Sequence, residues 1–230
     1  MTYVLIPGAG GDGWQWHLVV RELERRGHAA IPITLPAGDE DAGWQEYADA
    51  VVDAVGGGRD LVLVAQSLAG FTAPLVCERL PVTLLVLLNA MIPVPGETGS
   101  DWWSNTGSGA AMRENLAFLG LPADAAADDK VVYFHDVPAA LVEEAYARGE
   151  PKQSMTPMGQ PFPLRAWPKV PTRVLAGGDD RLFPLAFQRR VARERLHLDV
   201  DELPGGHMLA LSRPRELTDR LVAYLSTIGM

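Results

Sequence analysis

The sequence predicts an α/β fold, a mostly parallel and doubly wound sheet of about six strands with helices on both faces. Short apolar runs rich in β-branched residues alternate with longer segments of helical periodicity, which is the pattern of successive βαβ units. The predicted strands are 3–6, 29–34, 61–65, 82–88, 172–176 and 197–203, and the predicted helices are 14–26, 43–55, 68–80, 184–195 and 213–226. We interpret residues 1–230 as one domain, since single α/β domains often reach this length.

The first elements are bounded by clear stop signals. The first strand is a short apolar run that ends at Pro7-Gly8. Apolar residues then recur at helical spacing through 14–26, and Gly27 follows, as glycine commonly does just past a helix end. The helix 43–55 has a largely apolar face and stops at a run of three glycines, residues 56–58.

The βα alternation is interrupted after the fourth strand. Residues 91–168 are rich in proline, glycine and polar turns, and contain helix-like pieces at 110–119 and 138–148 but no strand alternation. The alternation resumes at residue 172 and continues to the last helix. We therefore interpret 91–168 as an insertion between two strands of the sheet, not as a separate domain.

Composition and charge exclude several classes of partner. The formal net charge is −9, from 29 acidic and 20 basic residues. Such a chain is repelled by phosphate backbones and anionic lipids, so we expect no nucleic-acid or membrane partner. The longest apolar run, Val82 to Leu88, is too short to span a bilayer, and the N-terminus does not have the pattern of a signal peptide. A single cysteine, Cys77, allows no intrachain disulfide, which fits a cytoplasmic protein, and the excess of arginine over lysine suggests a bacterial origin.

Ser67 is the candidate nucleophile. It lies in Ala65-Gln66-Ser67-Leu68-Ala69, between a buried strand and a helix. A serine on a sharp strand-to-helix turn forms a nucleophile elbow, whose flanking positions must be small and usually read Gly-x-Ser-x-Gly. Alanine is the next smallest residue, so the turn is feasible here. The alternative interpretation makes Ser67 a helix N-cap, a position that serine favours.

Two backbone N–H groups are candidates for an oxyanion hole. The glycine-rich loop after the first strand brings the N–H of Ala9 to the carboxyl edge of the sheet, where it can pair with the N–H of Leu68. The alternative for this loop is a dinucleotide-binding turn. It is disfavoured because no acidic residue closes the second strand, which ends Ile33-Thr34-Leu35-Pro36.

An acid and a histidine follow the serine in the chain. Strand 172–176 leads into Gly177-Gly178-Asp179-Asp180, and strand 197–203 leads into Gly205-Gly206-His207. Both loops lie at the carboxyl ends of parallel strands, the edge where open α/β sheets bind ligands. The order Ser, Asp, His predicts a catalytic triad of Ser67, His207 and one of the two aspartates.

The remaining histidines have structural or solvated interpretations. These are His17, His28 and His197, together with His135, which lies in the insertion and is the one that could line a pocket. No His, Cys, Asp or Glu cluster has the spacing of metal ligands, so we predict no metal.

These motifs resemble the α/β-hydrolase superfamily, and within it the small plant-type esterases and hydroxynitrile lyases. The motifs that carry the resemblance are Pro7-Gly8-Ala9 through Trp16, Gln66 to Gly70, Gly177-x-x-Asp180-Arg181, and Gly205 to Met208 through Pro214. The resemblance implies that Asp180 is the catalytic acid and that 91–168 forms a cap over the pocket. Pro7 and the two alanines at the elbow depart from the usual pattern.

The predicted function is hydrolysis of a small carboxylic ester through an acyl-enzyme on Ser67, without a cofactor. In the resembling lyases a lysine follows the histidine and a threonine replaces the glycine of the oxyanion loop, whereas this chain has Met208 and Gly8. Both positions favour an esterase. A non-hydrolytic enzyme such as a lyase or cyclase, and a ligand-binding receptor, remain alternatives because fold does not fix function. The sequence does not define an oligomeric state.

Overall fold

The computed structural model describes residues 1–227 and contains one six-stranded sheet. The strand order is β2-β1-β3-β4-β5-β6 and every pair of neighbours is parallel. The strands are β1 Thr2–Ile6, β2 Ala29–Pro32, β3 Leu61–Gln66, β4 Val82–Leu88, β5 Thr172–Gly177 and β6 Val200–Leu203. The predicted α/β sheet is thus confirmed. The strand order reverses between β1 and β3, and in such sheets the crevice at this reversal is where ligands bind.

Helices cover both faces of the sheet. They are α1 His17–Arg25, α2 Trp44–Val55, α3 Ala69–Cys77, α4 Gly99–Thr106, α5 Ser108–Phe118, α6 Asp129–Val132, α7 Ala139–Ala147, α8 Thr156–Gly159, α9 Leu185–Leu196, α10 Leu209–Ser212 and α11 Pro214–Thr227. One core cluster joins the sheet to α2, α3 and α9, and the other joins it to α1 and α11. Alternate residues of β3 enter the two clusters, which explains why the strand is apolar throughout.

Helices α4 to α8 all lie between β4 and β5. Trp102 of α4 and Phe162 are buried and join the core on the α2, α3 and α9 face. Glu97 and Arg195 of α9 form a buried ion pair at 2.5 Å, and Arg195 also donates to the carbonyl of Ile92. Separating the two charges of a buried ion pair costs several kcal/mol of free energy, about 3–5 kcal/mol when one partner is lost. The pair therefore holds the start of this segment against α9.

Several boundaries differ from the predicted ones. Helix α1 is preceded by a 3-10 turn over Gly13–Trp16, and α4 was not predicted. Strand β6 begins at Val200 instead of residue 197, because His197 ends α9 in a left-handed conformation with φ of 56°. None of the helices in residues 1–227 is both long and apolar enough to cross a membrane.

Candidate active site

Ser67 occupies a strained turn directly after β3. Its φ is 53°, a left-handed conformation that costs energy for any residue with a Cβ and that concentrates at functional sites. The turn is held by the Ser67 N–H, which donates to the carbonyl of Leu88 at 3.2 Å, and by the Ser67 carbonyl, which accepts from the N–H of Met91 at 2.9 Å. Leu68 is the N-cap of α3, so the alternative interpretation of Ser67 as a helix cap is not supported.

The residues around the turn are small because the backbone is crowded there. Ala65 and Ala69 are almost completely buried. A Cβ at Gly70 would collide with the carbonyl oxygen of Met91. The two alanines therefore fill the elbow positions where glycine is usual, and Gly70 allows α3 to pass close to the loop after β4.

His207 and Asp180 form a buried pair. The Nδ1 of His207 lies 2.8 Å from the Oδ2 of Asp180, and both residues are 1% exposed. Because a carboxylate only accepts, Nδ1 carries the proton, which leaves the lone pair of Nε2 available as a base. The other oxygen of Asp180, Oδ1, accepts from the N–H groups of Leu182 and Phe183 at 2.9 and 3.0 Å.

Asp179 has a different role in the structure from its neighbour. Its side chain is exposed, and its Oδ2 accepts the N–H of Gly205 at 3.1 Å. Asp180, as the resemblance implies, is the aspartate that reaches the histidine. Within residues 1–227 the hydroxyl of Ser67 makes no hydrogen bond to His207, a contact that is often long before substrate binds and shortens in the complex.

Asn89 is a buried polar residue at this edge that the sequence did not single out. It follows β4 with φ of 45° and is fully buried. Its Nδ2 donates to the carbonyls of His207 and Gly206 at 2.9 and 3.2 Å, and its Oδ1 accepts the N–H of Gly177 at 2.8 Å. Asn89 thus joins the loop that carries the acid to the loop that carries the histidine. Its only sequence signal is an amide directly after an apolar strand.

The loop after β1 is held against the elbow by a side chain. The Oε1 of Gln66 accepts the N–H of Gly8 at 3.0 Å. A Cβ at Gly8 would lie 2.6 Å from that oxygen and 2.8 Å from the Cβ of Ser67, so the loop approaches this closely only because residue 8 is glycine. The N–H groups of Ala9 and Leu68 donate no hydrogen bond to any group in residues 1–227. Neither N–H group is therefore occupied by an acceptor within the described residues.

The segment between β4 and β5 contacts this edge of the sheet. The ring of Tyr133 packs edge-on against the His207 imidazole with centroids 5.5 Å apart, and burial raises the pKa of its phenol, with smaller contributions from Asp129 and Asp180. The N–H of Gly10 donates to Gln153 at 3.0 Å. Of the other aromatic residues of this segment, Trp102 lies in the core and Phe118 is 88% exposed.

Two aromatic rings pack against the histidine. Phe183 is a second edge-on partner of the imidazole, also with ring centroids 5.5 Å apart, and it packs against Trp103. An apolar environment around a buried hydrogen-bonded pair strengthens its electrostatic interaction. No group of three or more His, Cys, Asp or Glu in the described residues could hold a metal ion.

Comparison with known proteins agrees with this architecture. The model of the alpha/beta hydrolase family matches residues 3–220. An esterase of rice, PIR7B, is 32% identical over 108 residues, which are 41% of this chain and 40% of the rice protein. An alpha/beta hydrolase of Aspergillus novofumigatus, nvfD, is 26% identical over 95% of this chain and 94% of its own.

The likeness extends to solved structures. A methylesterase from Arabidopsis has the same fold, with a TM-score of 0.75 and 17% identity over 99% of both chains. The resemblance that the motifs indicate is confirmed by a family model that covers nearly the whole sequence. The chain belongs to the alpha/beta hydrolase family.

Proposed function

We propose that this protein is a serine hydrolase that cleaves small carboxylic esters, with Ser67, His207 and Asp180 as its catalytic triad. The observation that carries the proposal is the buried hydrogen bond between Asp180 Oδ2 and His207 Nδ1, at the same sheet edge as the strained Ser67. The esterase and methylesterase names of its relatives support ester hydrolysis as the reaction.

The proposed reaction begins with proton transfer to the histidine. The Nε2 of His207 takes the proton of the Ser67 hydroxyl as its oxygen attacks the ester carbonyl carbon. Asp180 holds the imidazole in the required tautomer and stabilises the imidazolium that forms. The tetrahedral intermediate collapses with loss of the alcohol, which receives the proton, and water then releases the carboxylic acid from Ser67 by the same route.

The N–H groups of Ala9 and Leu68 serve as the oxyanion hole in this proposal. Two features support it: neither group is otherwise used within the described residues, and the hydrogen bond from the Gly8 N–H to Gln66 holds the residue before Ala9 against the elbow. Leu68 also lies at the N-terminus of α3, where the helix dipole favours negative charge.

Residues 91–168 serve as the cap over this site. Two contacts support this role. Tyr133 packs against His207, and Gln153 accepts the N–H of Gly10 in the loop after β1. In this proposal Tyr133 contributes an aromatic side chain beside the catalytic histidine, which favours a small ester with apolar groups. Removal of water by such a cover would strengthen the electrostatic interactions inside.

The structure gives a steric reason to prefer an esterase over a cyanohydrin lyase. A side chain at residue 8 would meet Gln66 and Ser67 at 2.6 and 2.8 Å, so this elbow has no room for the threonine of the lyases. The position after His207 is occupied by Met208, which supplies no cation for a departing cyanide.

Turnover of a chromogenic ester tests the proposal. The purified protein is expected to hydrolyse p-nitrophenyl acetate or butyrate and to release no cyanide from mandelonitrile above background. Ser67→Ala should lower kcat by about 10⁶-fold, since triad members act as a unit, and an organophosphonate should label Ser67. Efficient cyanide release, an active alanine variant or labelling at another serine would contradict it.

A further inference from the structure

The dipeptide His135-Asp136 bridges the two loops that carry the acid and the histidine. It belongs to the segment between β4 and β5, just after α6. The Oδ2 of Asp136 accepts the N–H of Gly206 at 2.9 Å, one residue before His207. The Nε2 of His135 lies 3.0 Å from the carbonyl oxygen of Asp179, one residue before Asp180. Because a carbonyl only accepts, this Nε2 carries the proton and donates.

We propose that His135 and Asp136 are positioning residues that clamp these two loops together and so hold Asp180 and His207 in register. The inference rests on the proposed function, in which that pair orients the base. Neither residue needs to touch the substrate, since each acts through the backbone next to a triad member.

The close approach of the dipeptide depends on the glycine before the histidine. A Cβ at Gly206 would lie 2.6 Å from His135 Nε2 and 2.7 Å from Asp136 Oδ1. Gly205 adopts φ of 126°, a conformation that side chains rarely allow, and a Cβ there would meet Asp136 Oδ2 at 3.0 Å. The two glycines that present His207 therefore also make room for Asp136.

A second, independent observation points to Asp136. Its Oδ1 is buried and has no hydrogen-bond partner among residues 1–227. An unpaired buried carboxylate oxygen is costly, and such a group requires an explanation beyond stability. The placement of a carboxylate beside the histidine loop is consistent with a functional requirement.

Other hydrogen bonds to the histidine loop come from the residue after β4 and from the loop that carries the acid. Asn89 holds the carbonyls of Gly206 and His207, and Asp179 holds the N–H of Gly205. Asp136 adds a hydrogen bond to this loop from residues 91–168, 70 residues away in the chain. The position of that segment is thereby linked to the position of the catalytic histidine.

Four single variants test the clamp. Asp136→Ala removes the acceptor of the Gly206 N–H, and Asp136→Asn keeps an oxygen there. His135→Ala removes the donor to Asp179. Asp128→Ala is the matched control, since Asp128 lies in the same segment and its carboxylate also accepts a backbone N–H, from Lys130 at 2.9 Å, but it touches neither catalytic loop.

The first readout is the steady-state kinetics of p-nitrophenyl butyrate hydrolysis. We expect Asp136→Ala to lower kcat by about 10-fold to 100-fold with KM within about twofold of wild type, the pattern of a lost transition-state contribution. Asp136→Asn should stay within about threefold of wild-type kcat, because the bond to Gly206 is retained. His135→Ala should lie between these, and Asp128→Ala should have wild-type kcat.

The second readout does not require turnover. The downfield proton NMR signal of the His207 Nδ1–H reports the bond to Asp180 directly. It should be present in wild type and Asp128→Ala, and broadened by exchange with water in Asp136→Ala. If wild type hydrolyses no ester, the proposed function fails, while this signal still decides the clamp. Thermal melts identify any variant that is unfolded, and if Asp136→Ala does not fold, Asp136→Asn and His135→Ala carry the test.

Three results would overturn the proposal. The first is wild-type kcat together with an unchanged Nδ1–H signal in folded Asp136→Ala or His135→Ala. The second is an equal loss of kcat in the Asp128→Ala control. The third is a loss in Asp136→Asn as large as in Asp136→Ala, which would mean that the hydrogen bond to Gly206 is not what matters.

Discussion

Replacing Asp180 by asparagine tests the link between the buried pair and catalysis. The orientation of the new amide is fixed by the backbone, because Leu182 and Phe183 both point N–H groups at the Oδ1 of Asp180. The amide oxygen must take that position, so its NH2 group takes the place of Oδ2. There it faces the Nδ1 of His207, which Asp180 held as a donor.

Two donors cannot bond to each other, so the imidazole must move its proton to Nε2 to keep the contact. His207 then has no lone pair directed at Ser67 and cannot act as the base. In a serine protease triad the same change lowers kcat about 10⁴-fold, which corresponds to about 5 kcal/mol of transition-state stabilisation. We expect a loss of that size here, with the fold preserved because the two backbone hydrogen bonds remain.

Asp179→Asn is the matched control. The carboxylate of Asp179 is exposed and accepts one N–H, from Gly205, which an amide oxygen can also accept. Its kcat should stay within about tenfold of wild type, the scale of one surface hydrogen bond. Initial rates on p-nitrophenyl butyrate, with circular dichroism melts of each variant, measure the difference. Wild-type activity in Asp180→Asn, or a larger loss in Asp179→Asn, would refute the assignment of the acid.

Three further predictions concern groups near the pair. Gly8→Ala should lower kcat by about 10²-fold, because the new Cβ would lie 2.6 Å from the Oε1 of Gln66 and would displace an oxyanion donor. Gly159→Ala is the control and should leave kcat unchanged, because a Cβ at Gly159 would meet no atom within 4 Å. Asn89→Ala should lower kcat, and it should lower the free energy of unfolding by about 3 kcal/mol, because it leaves buried peptide groups without hydrogen-bond partners. An unchanged midpoint of urea unfolding would contradict this prediction. Burial raises the pKa of the Cys77 thiol to about 12, so the thiol stays protonated at neutral pH, and iodoacetamide treatment at pH 7 should leave esterase activity intact.

The fold could be predicted from the sequence because the sheet is buried on both faces. A strand such as β3 must then be apolar at every position, and this uninterrupted run between turn residues is visible without coordinates. The predicted end of a helix or start of a strand was less accurate where it depends on one residue in the left-handed conformation. His197 ends α9 with φ of 56°, so β6 begins three residues later than predicted. A histidine gives no sequence signal for this left-handed conformation. Helix α4 was missed because its eight residues carry little apolar periodicity, and its burial comes from Trp102 packing against Phe183 and Phe187.

The candidate site was partly visible in the sequence for a related reason. Parallel strands bring their carboxyl ends to one edge, so Ser67, Asp180 and His207 could be placed together from their positions after β3, β5 and β6 alone. The sequence also determined that the elbow is built from small residues and that the loop after β1 carries a glycine at residue 8.

Only the tertiary structure decided which groups hold these residues in place. Residue type and spacing alone do not tell which of two adjacent aspartates in a turn faces the histidine. The family resemblance implies Asp180, and the hydrogen bond between Asp180 and His207 Nδ1 shows that contact in the structure. Asn89 and Asp136 lie about 120 and 70 residues from the histidine loop that they contact. Hydrogen bonds between segments so distant in the chain depend on how strands and the β4–β5 segment pack in space, and no local pattern of residue types encodes that packing.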